Sequence, residues 1–318
     1  MIENFDFINQ GQADIKVVGI GGGGGNVVNL MIENGIEGVE FLAFNTDSQV
    51  LSSHKAKIKV QLGQKLTRGL GAGADPEVGY RSMMQDISSV EKLVEDCDMV
   101  FVVSCLGGGT GSGASIPFIE NCKKKGILTI AVVTRPFSFE GKRRKMVADE
   151  SLKHILEKAD TTVVLSNDNL ISVVDKKISL KDSFKVVDNY LSGNIKKIIE
   201  LINKPGIINL DFADVKTILK NSKLAVLGNG SGEGKNRAME ACNHAVNSPL
   251  LERDISNAQR VLLNITGPED MSLFEVNSIA AKIAEKVSPD AEIIFGSATN
   301  SDGSKKVNIT LLVSGFDE

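Results

Sequence analysis

The sequence predicts an α/β fold: a Rossmann-type parallel sheet, then a long connecting helix, then a second, smaller α/β (α+β) unit. Three observations predict it. Short β-prone apolar runs alternate with helical stretches along the 318 residues. Two of those runs feed straight into dense glycine turns, "GIGGGGG" (19–25) and "CLGGGTGSGA" (105–114). One central stretch places Phe184, Val187, Leu191, Ile195, Ile198 and Ile202 three or four residues apart. Alternation of the first kind argues for parallel strands covered by helices on both faces. The third pattern is one apolar stripe on a long helix.

In order, residues 15–20 read as a strand, the glycines 21–25 as a turn, and the stretch from Asn26 as a helix. A second strand (39–47) ends in a polar turn, and a helix lies within 76–95. Residues 98–105 form a third strand, which feeds the second glycine turn, and a helix is expected from Ser115. Further strands are expected at 126–137 and 161–168, around a helix at 149–158. The striped helix is stopped by "NKPG" (203–206), because Pro205 cannot continue its hydrogen-bond ladder. Beyond it, strands at 223–232 and 260–267 alternate with helices at 236–248 and 273–287. Strands at 291–299 and 306–315 close the chain, joined by a polar, hairpin-like loop.

Composition bounds the function. Hydrophobic residues are 42% and charged residues 24%, an ordinary globular balance, and the net charge of −4 does not suit a general nucleic-acid partner. The apolar runs, such as 127–133, are too short to span a bilayer, and the N-terminus lacks a signal-peptide pattern. No nucleic-acid partner and no direct membrane insertion are therefore expected, and a cytoplasmic location is. Cys97, Cys105, Cys122 and Cys242 show no C-x-x-C spacing and read as free thiols. Cys105, beside the second glycine turn, reads as a small residue at a strand end. No role falls to His54, His154 or His244, and no metal ligand set is predicted from the protein itself.

Glycine is costly inside regular structure, so a dense run implies a close approach to the backbone. A turn without side chains lets successive N–H groups converge on an anion, and the following helix adds its N-terminal donors and dipole. Thr110 and Ser112 fit such a cradle, since short hydroxyls donate without filling it. Gly19-x-Gly21-x-x-Gly24 alone also matches a dinucleotide fingerprint, or a tight turn with no ligand. Two such turns suit a polyphosphate better, and the absence of Gly-Lys-Ser/Thr excludes a Walker-type loop.

These residues resemble a known family. "GGGTGSG" (107–113) matches the signature loop of the tubulin superfamily. "GGGGGN", "FNTD" (44–47), "GLGAGADPEVG" (69–79), "TRPFSFEGKRR" (134–144), "SNDNL" (166–170), "NLDFADV" (209–215) and "SPLLE" (248–252) occur in the order found in the FtsZ family of bacterial cell-division GTPases. The resemblance covers essentially the whole chain. It implies a tubulin-like fold, with a nucleotide-binding GTPase domain (1–182), a central connecting helix (183–206) and a C-terminal activation and assembly domain (207–318).

The resemblance also implies a site. Gly22, Gly23, Gly24, Gly25 and Asn26 correspond to the first nucleotide loop. Gly108, Gly109, Thr110, Gly111, Ser112 and Gly113 correspond to the loop around the phosphates, with Thr134 nearby. Glu140 and Arg144 match positions that contact sugar and phosphates. Asn167 and Asp188 match the guanine-reading positions, and Phe184 the residue packed on the base. From the residues alone, Asp188 could equally be a solvated helix residue, and "GKRRK" a solvated basic turn.

Asp211 and Asp214, three residues apart, read by themselves as helix-capping acids. The resemblance implies instead that the loop carrying Asn209, Asp211 and Asp214 enters the site of the next subunit and polarises the attacking water. The implied ligands are GTP or GDP, with Mg2+ bridging the phosphates. The implied partners are further copies of the chain, in a head-to-tail homopolymer at the midcell ring, together with division-machinery proteins. The family's usual C-terminal adaptor-binding peptide does not follow "SGFDE" in this sequence. Where the family commonly carries Gly-x-Gln-Gly-Ile, this chain has Lys196 and Lys197, and Lys223 stands where glycine is frequent. Those departures favour one rival, a GTP-binding relative that neither assembles nor turns over efficiently alone. A nicotinamide-dependent oxidoreductase built on the first glycine turn is the other, and it leaves "NLDFADV" without a role.

Overall fold

In a computed structural model the chain is described over residues 13–171, 177–203, 207–208, 211–248, 251–300 and 303–316. Its elements in chain order are β1 (Ile15–Ile20), α1 (Gly21–Glu33), β2 (Glu40–Asn45), α2 (Ser48–Ser52), β3 (Ile58–Gln61), α3 (Gln64–Thr67), α4 (Pro76–Val90), β4 (Met99–Cys105), α5 (Gly109–Lys124) and β5 (Leu128–Arg135). There follow α6 (Lys142–Lys158), β6 (Thr161–Ser166), α7 (Asn167–Ile171), α8 (Leu180–Asn203), α9 (Phe212–Leu219), β7 (Lys223–Gly232), α10 (Arg237–Val246), β8 (Ala258–Gly267), α11 (Leu273–Ala284), β9 (Glu292–Thr299) and β10 (Val307–Phe316).

All ten strands form one sheet in the order β3-β2-β1-β4-β5-β6-β7-β10-β8-β9. Strands β1, β2, β4, β5 and β6 pair in parallel, as the alternation predicted, and the unexpected β3 and the first strand of the second unit, β7, extend the parallel run at its two ends. The β6–β7 seam is short, with only Thr161↔Lys223, Thr162↔Leu224 and Val163↔Ala225 in register. The expected closing hairpin is not formed. β10 runs antiparallel between β7 and β8, and β9 pairs in parallel with the far side of β8. β8 thus separates the two strands that are neighbours in sequence, and α11 covers the parallel crossover from β8 to β9.

The period of two along each strand divides the core. Val17, Phe101, Val103 and Val132 face α1, α8 and α9, where they meet Val28, Met31, Leu191, Ile195 and Val215. Val18, Ile20, Val100, Val102 and Val133 face the other way, onto Met83 of α4, Phe118 of α5 and Ile155 of α6. A third cluster joins β7, β8 and β10 to α10 and α11 through Val226, Leu263, Leu311, Cys242 and Ile279. Among the described residues no helix is long and apolar enough to cross a membrane. The four cysteines are free thiols, three of them buried.

Helix α8 buries Val187, Leu191, Ile195 and Ile198 of the predicted stripe, and Pro205 and Gly206 lie outside the described residues. One of its two unusual lysines is anchored. Lys197 Nζ donates to Asn229 Oδ1 of β7 at 2.6 Å, and Asn229 Nδ2 donates to Asn194 Oδ1 at 2.6 Å. Burial pushes the Lys197 ammonium below its ordinary pKa. A half-buried ammonium that loses its acceptor pays part of its desolvation, so Asn229→Ala should cost about 1 kcal/mol or more. Lys197→Met should cost less than Asn229→Ala, and urea unfolding of the two variants beside the parent checks that order.

Candidate functional site

β1 and β4 are adjacent in the sheet, so the two glycine turns emerge side by side from its carboxyl edge, where open parallel sheets bind ligands. The helices begin earlier than expected. α1 starts at Gly21 and not Asn26, and α5 at Gly109 and not Ser115, so the glycines form the first helical turns themselves. Close approach outweighs glycine's poor helix propensity here. A Cβ on Gly21, which sits at φ +77°, would lie 2.8 Å from the amide nitrogen of Gly111, and one on Gly111 would lie 2.7 Å from Ser104 Oγ. The two turns pack backbone against backbone. Gly22 and Gly108 are different, since a Cβ there meets nothing within 4 Å.

Between the turns lies a cleft of about 340 Å³. Gly22, Gly23, Asn26, Gly108, Gly109, Thr110 and Gly111 line one end. Neither α1 nor α5 has a side-chain cap or an acid in its first turn. Two helix N-termini therefore offer free N–H donors and positive dipole ends to the same space. The Thr110 hydroxyl is held by a 2.7 Å hydrogen bond to that of Thr46, at the end of β2.

Thr134, Glu140, Arg144, Asn167, Phe184 and Asp188 line the rest. Glu140 is doubly engaged: Oε1 accepts from the Phe137 amide at 2.9 Å and Oε2 from Arg144 at 2.6 Å. Phe137 braces Phe184 edge-on, with ring centroids 5.4 Å apart. Asn167 is 5% exposed, and its buried Oδ1 has no partner among the described residues. A buried acceptor without a donor is costly, which marks a place for a ligand N–H. Asp188 faces the cleft rather than open solvent, and burial raises its carboxyl to about 6.

Four residues expected at the site do not line the cleft: Gly24, Gly25, Ser112 and Gly113. Packing explains them. A Cβ on Gly24 would lie 2.2 Å from the Val103 carbonyl, and one on Gly113 1.8 Å from that of Pro76 in α4. Gly25 abuts His54, whose Nε2 bonds its carbonyl at 2.9 Å, and Ser112 Oγ accepts from the Gly107 amide at 2.8 Å. The structure also adds Leu106, Pro136, Val187 and Cys105 to the lining. Val187 was visible only as a stripe residue and Cys105 only as a strand end. Burial pushes the Cys105 thiol up to about 12, so it is no nucleophile at neutral pH.

Asp211 and Asp214 are not in the cleft. Asp211 caps α9, accepting from the Asp214 amide at 2.8 Å, and Asp214 returns the bond to the Asp211 amide at 3.4 Å. Helix α8 carries the chain about 22 Å from Asp188 to Asn203. α9 then ends at Leu219, whose carbonyl accepts from Thr161 at the start of β6. That is the edge of the sheet opposite the glycine turns. Asn209 lies outside the described residues. Among the described residues no group of three or more His, Cys, Asp or Glu could hold a metal ion.

Comparison with known proteins places the fold in a family. Residues 14–175 match the Tubulin/FtsZ family GTPase domain, and residues 223–317 match the FtsZ family C-terminal domain. An empty FtsZ dimer from M. jannaschii is 41% identical, with a TM-score of 0.91 over 97% of this chain and 90% of that one. CetZ2 from Haloferax volcanii, solved as a GTPγS-bound protofilament, shares the fold at 21% identity and a TM-score of 0.83, over 96% of this chain and 94% of that one. CetZ1 from the same organism, a GDP-bound monomer, is 24% identical with a TM-score of 0.83, over 96% and 95%.

The raised carboxyl of Asp188 has a consequence for stability. The folded chain holds this proton more tightly than the unfolded chain, so Asp188 lowers stability as pH rises from its ordinary 3.8 towards about 6. Asp188→Asn should therefore be more stable than the parent at pH 7 without ligand. That advantage should shrink as pH falls from 6 to 4, which urea unfolding at several pH values reads directly.

Proposed function

The chain belongs to the Tubulin/FtsZ family and is a GTPase of that family with the FtsZ-type C-terminal domain; from that premise we propose that it assembles head to tail, hydrolyses GTP at the contacts between subunits, and serves cell division as a cytoplasmic filament at the division site. The observation that carries the proposal is the separation just described. The cleft is lined by helix N-terminal donors, an aromatic ring and the carboxylates of Glu140 and Asp188, with Glu140 already engaged by Arg144 and the Phe137 amide, while Asp211 and Asp214 stand outside it at the start of α9.

In this reading the amides of Gly22, Gly23, Gly109 and Gly111 cradle the phosphates and the Thr110 hydroxyl donates to them. Glu140 and Arg144 meet the sugar and phosphates, beside Thr134. Phe184 packs on the base. The Asp188 carboxylate accepts from guanine N1–H and the exocyclic amine, and Asn167 Oδ1 gains the donor it lacks. Adenine offers no such pair of donors. Gly24, Gly25, Ser112 and Gly113 shape the two turns, and Asn26 closes the first.

Phosphoryl transfer depends on position and charge neutralisation more than on covalent help. Mg2+ fits this site as the counter-ion of the nucleotide, held by phosphate oxygens, and it would neutralise charge on the transferred group. Asp211 and Asp214 of one copy, with Asn209, complete the site of the next by orienting the attacking water. A contact between two different faces does not close on itself and generates a filament. Exposed apolar side chains suit such faces: Leu70 (82% exposed) and Phe139 (60%) near the cleft, and Ile207 (71%) beside the acid loop.

GTPase rate per subunit should rise steeply above a threshold of protein concentration, together with light scattering. A low rate that is independent of concentration, without scattering, would favour the non-assembling relative, and the Lys197–Asn229 tie would be the place to look. Asparagine caps helices as well as aspartate does, so Asp211→Asn should keep fold and GTP affinity while turnover falls at least a hundredfold. Asp211→Ala should lose turnover and also about 1 kcal/mol of stability. Loss of GTP binding in either variant sinks the assignment in trans.

A further inference from the structure

Glu252 lies in the second half of the chain, ahead of β8, yet its carboxylate reaches the wall of the cleft. Its Oε1 accepts from the Ser166 amide at 2.6 Å and from Asn169 Nδ2 at 3.0 Å. Ser166 ends β6, and Asn169 stands in the single turn of α7. These two residues flank Asn167. Asp168, between them, is held from a third direction, since its Oδ1 accepts from the Ser138 amide at 2.9 Å. Residues 166, 168 and 169 are thus pinned by side chains or to segments far away in sequence, while Asn167 presents a buried, unpartnered Oδ1 to the cleft.

We propose that Glu252 is a positioning residue for base recognition: the C-terminal half of the chain sets where Asn167 stands, and so sets affinity and selectivity for guanine. This rests on the reading of the cleft as a guanine-nucleotide site. A carboxylate accepting a backbone N–H forms a charge-assisted bond stronger than a neutral one. It fixes the main chain one residue before Asn167, and the Asn169 amide fixes it two residues after. The missing partner of Asn167 Oδ1 is a donor, and hydrogen-bond donors bind only when placed within a few tenths of an ångström. A base site is only as selective as the frame that holds its polar groups. The frame here is shared between parts of the chain 83 and 86 residues apart.

The experiment measures binding of GTP and of ITP, which lacks the exocyclic amine, to the unassembled chain by calorimetry without magnesium. Glu252→Ala should weaken GTP about tenfold and narrow the preference for GTP over ITP. Glu252→Gln retains an acceptor oxygen for the Ser166 amide and should recover most of both. Asn169→Ala should shift both in the same direction and less than additively with Glu252→Ala. At saturating GTP the turnover of assembled Glu252→Ala should stay within a few-fold of the parent. Unchanged GTP affinity and selectivity in Glu252→Ala would overturn the proposal, as would equal weakening of GTP and ITP without rescue by Glu252→Gln. A parent chain that shows no preference for GTP over ITP would overturn the reading of the cleft itself, and the inference with it.

Discussion

The contact between two glycine turns, backbone against backbone, is the constraint on which the rest of this molecule depends. A methyl group on Gly21 would strike the Gly111 backbone, and one on Gly111 would strike Ser104 and Cys105 at the end of β4, so neither position has space for one. The approach requires β1 and β4 to be neighbours and to end level with each other. It also brings two helices to one point from opposite faces of the sheet, since α1 packs in one core layer and α5 in the other. Their N-terminal donors then converge without a lysine. Gly24 and Gly113 extend the same logic outward, one against β4 and one against α4. The density of glycine serves the protein's contact with itself first, and only Gly22 and Gly108 leave open space for something else.

Much of this was legible in the sequence, and the parts that were not share a cause. Local alternation revealed the parallel strands β1, β2, β4, β5 and β6, the stripe on α8 and the position of both glycine turns. Most residues that line the cleft were legible by resemblance, the glycine turns, Thr134, Glu140, Arg144 and Asn167 in quoted motifs and Phe184 and Asp188 by position, whereas Cys105, Leu106, Pro136 and Val187 were not. The helix starts at Gly21 and Gly109 were not, since propensity argues against them and only tertiary contact overrides it. The closing hairpin failed because sheet order is not a local property: nothing near residues 291–315 records that β8 will lie between β9 and β10. Short β3, with four residues, carries too little pattern to be seen. Glycines 24, 25 and 113 were credited to a ligand because sequence shows a missing side chain but not what occupies its place. The acids at 211 and 214 carry both meanings at once, a capping pair in structure and a reactive pair by resemblance.

Helix α8 links the cleft to the second half of the sheet. Its first turns give Phe184, Val187 and Asp188 to the cleft, and its middle gives Lys197 to the second half of the sheet. A single rigid element thus touches the nucleotide end and the C-terminal strands. Any shift of its axis moves both.

The β6–β7 seam decides where such a shift can occur. Three residue pairs join the strands there, a ladder about 10 Å long, whereas β10 pairs with β7 and with β8 over eight residues each. A sheet under torque yields where its ladder is shortest. The two halves are therefore plates joined by a narrow strip, with α8 lying across the joint as a strut.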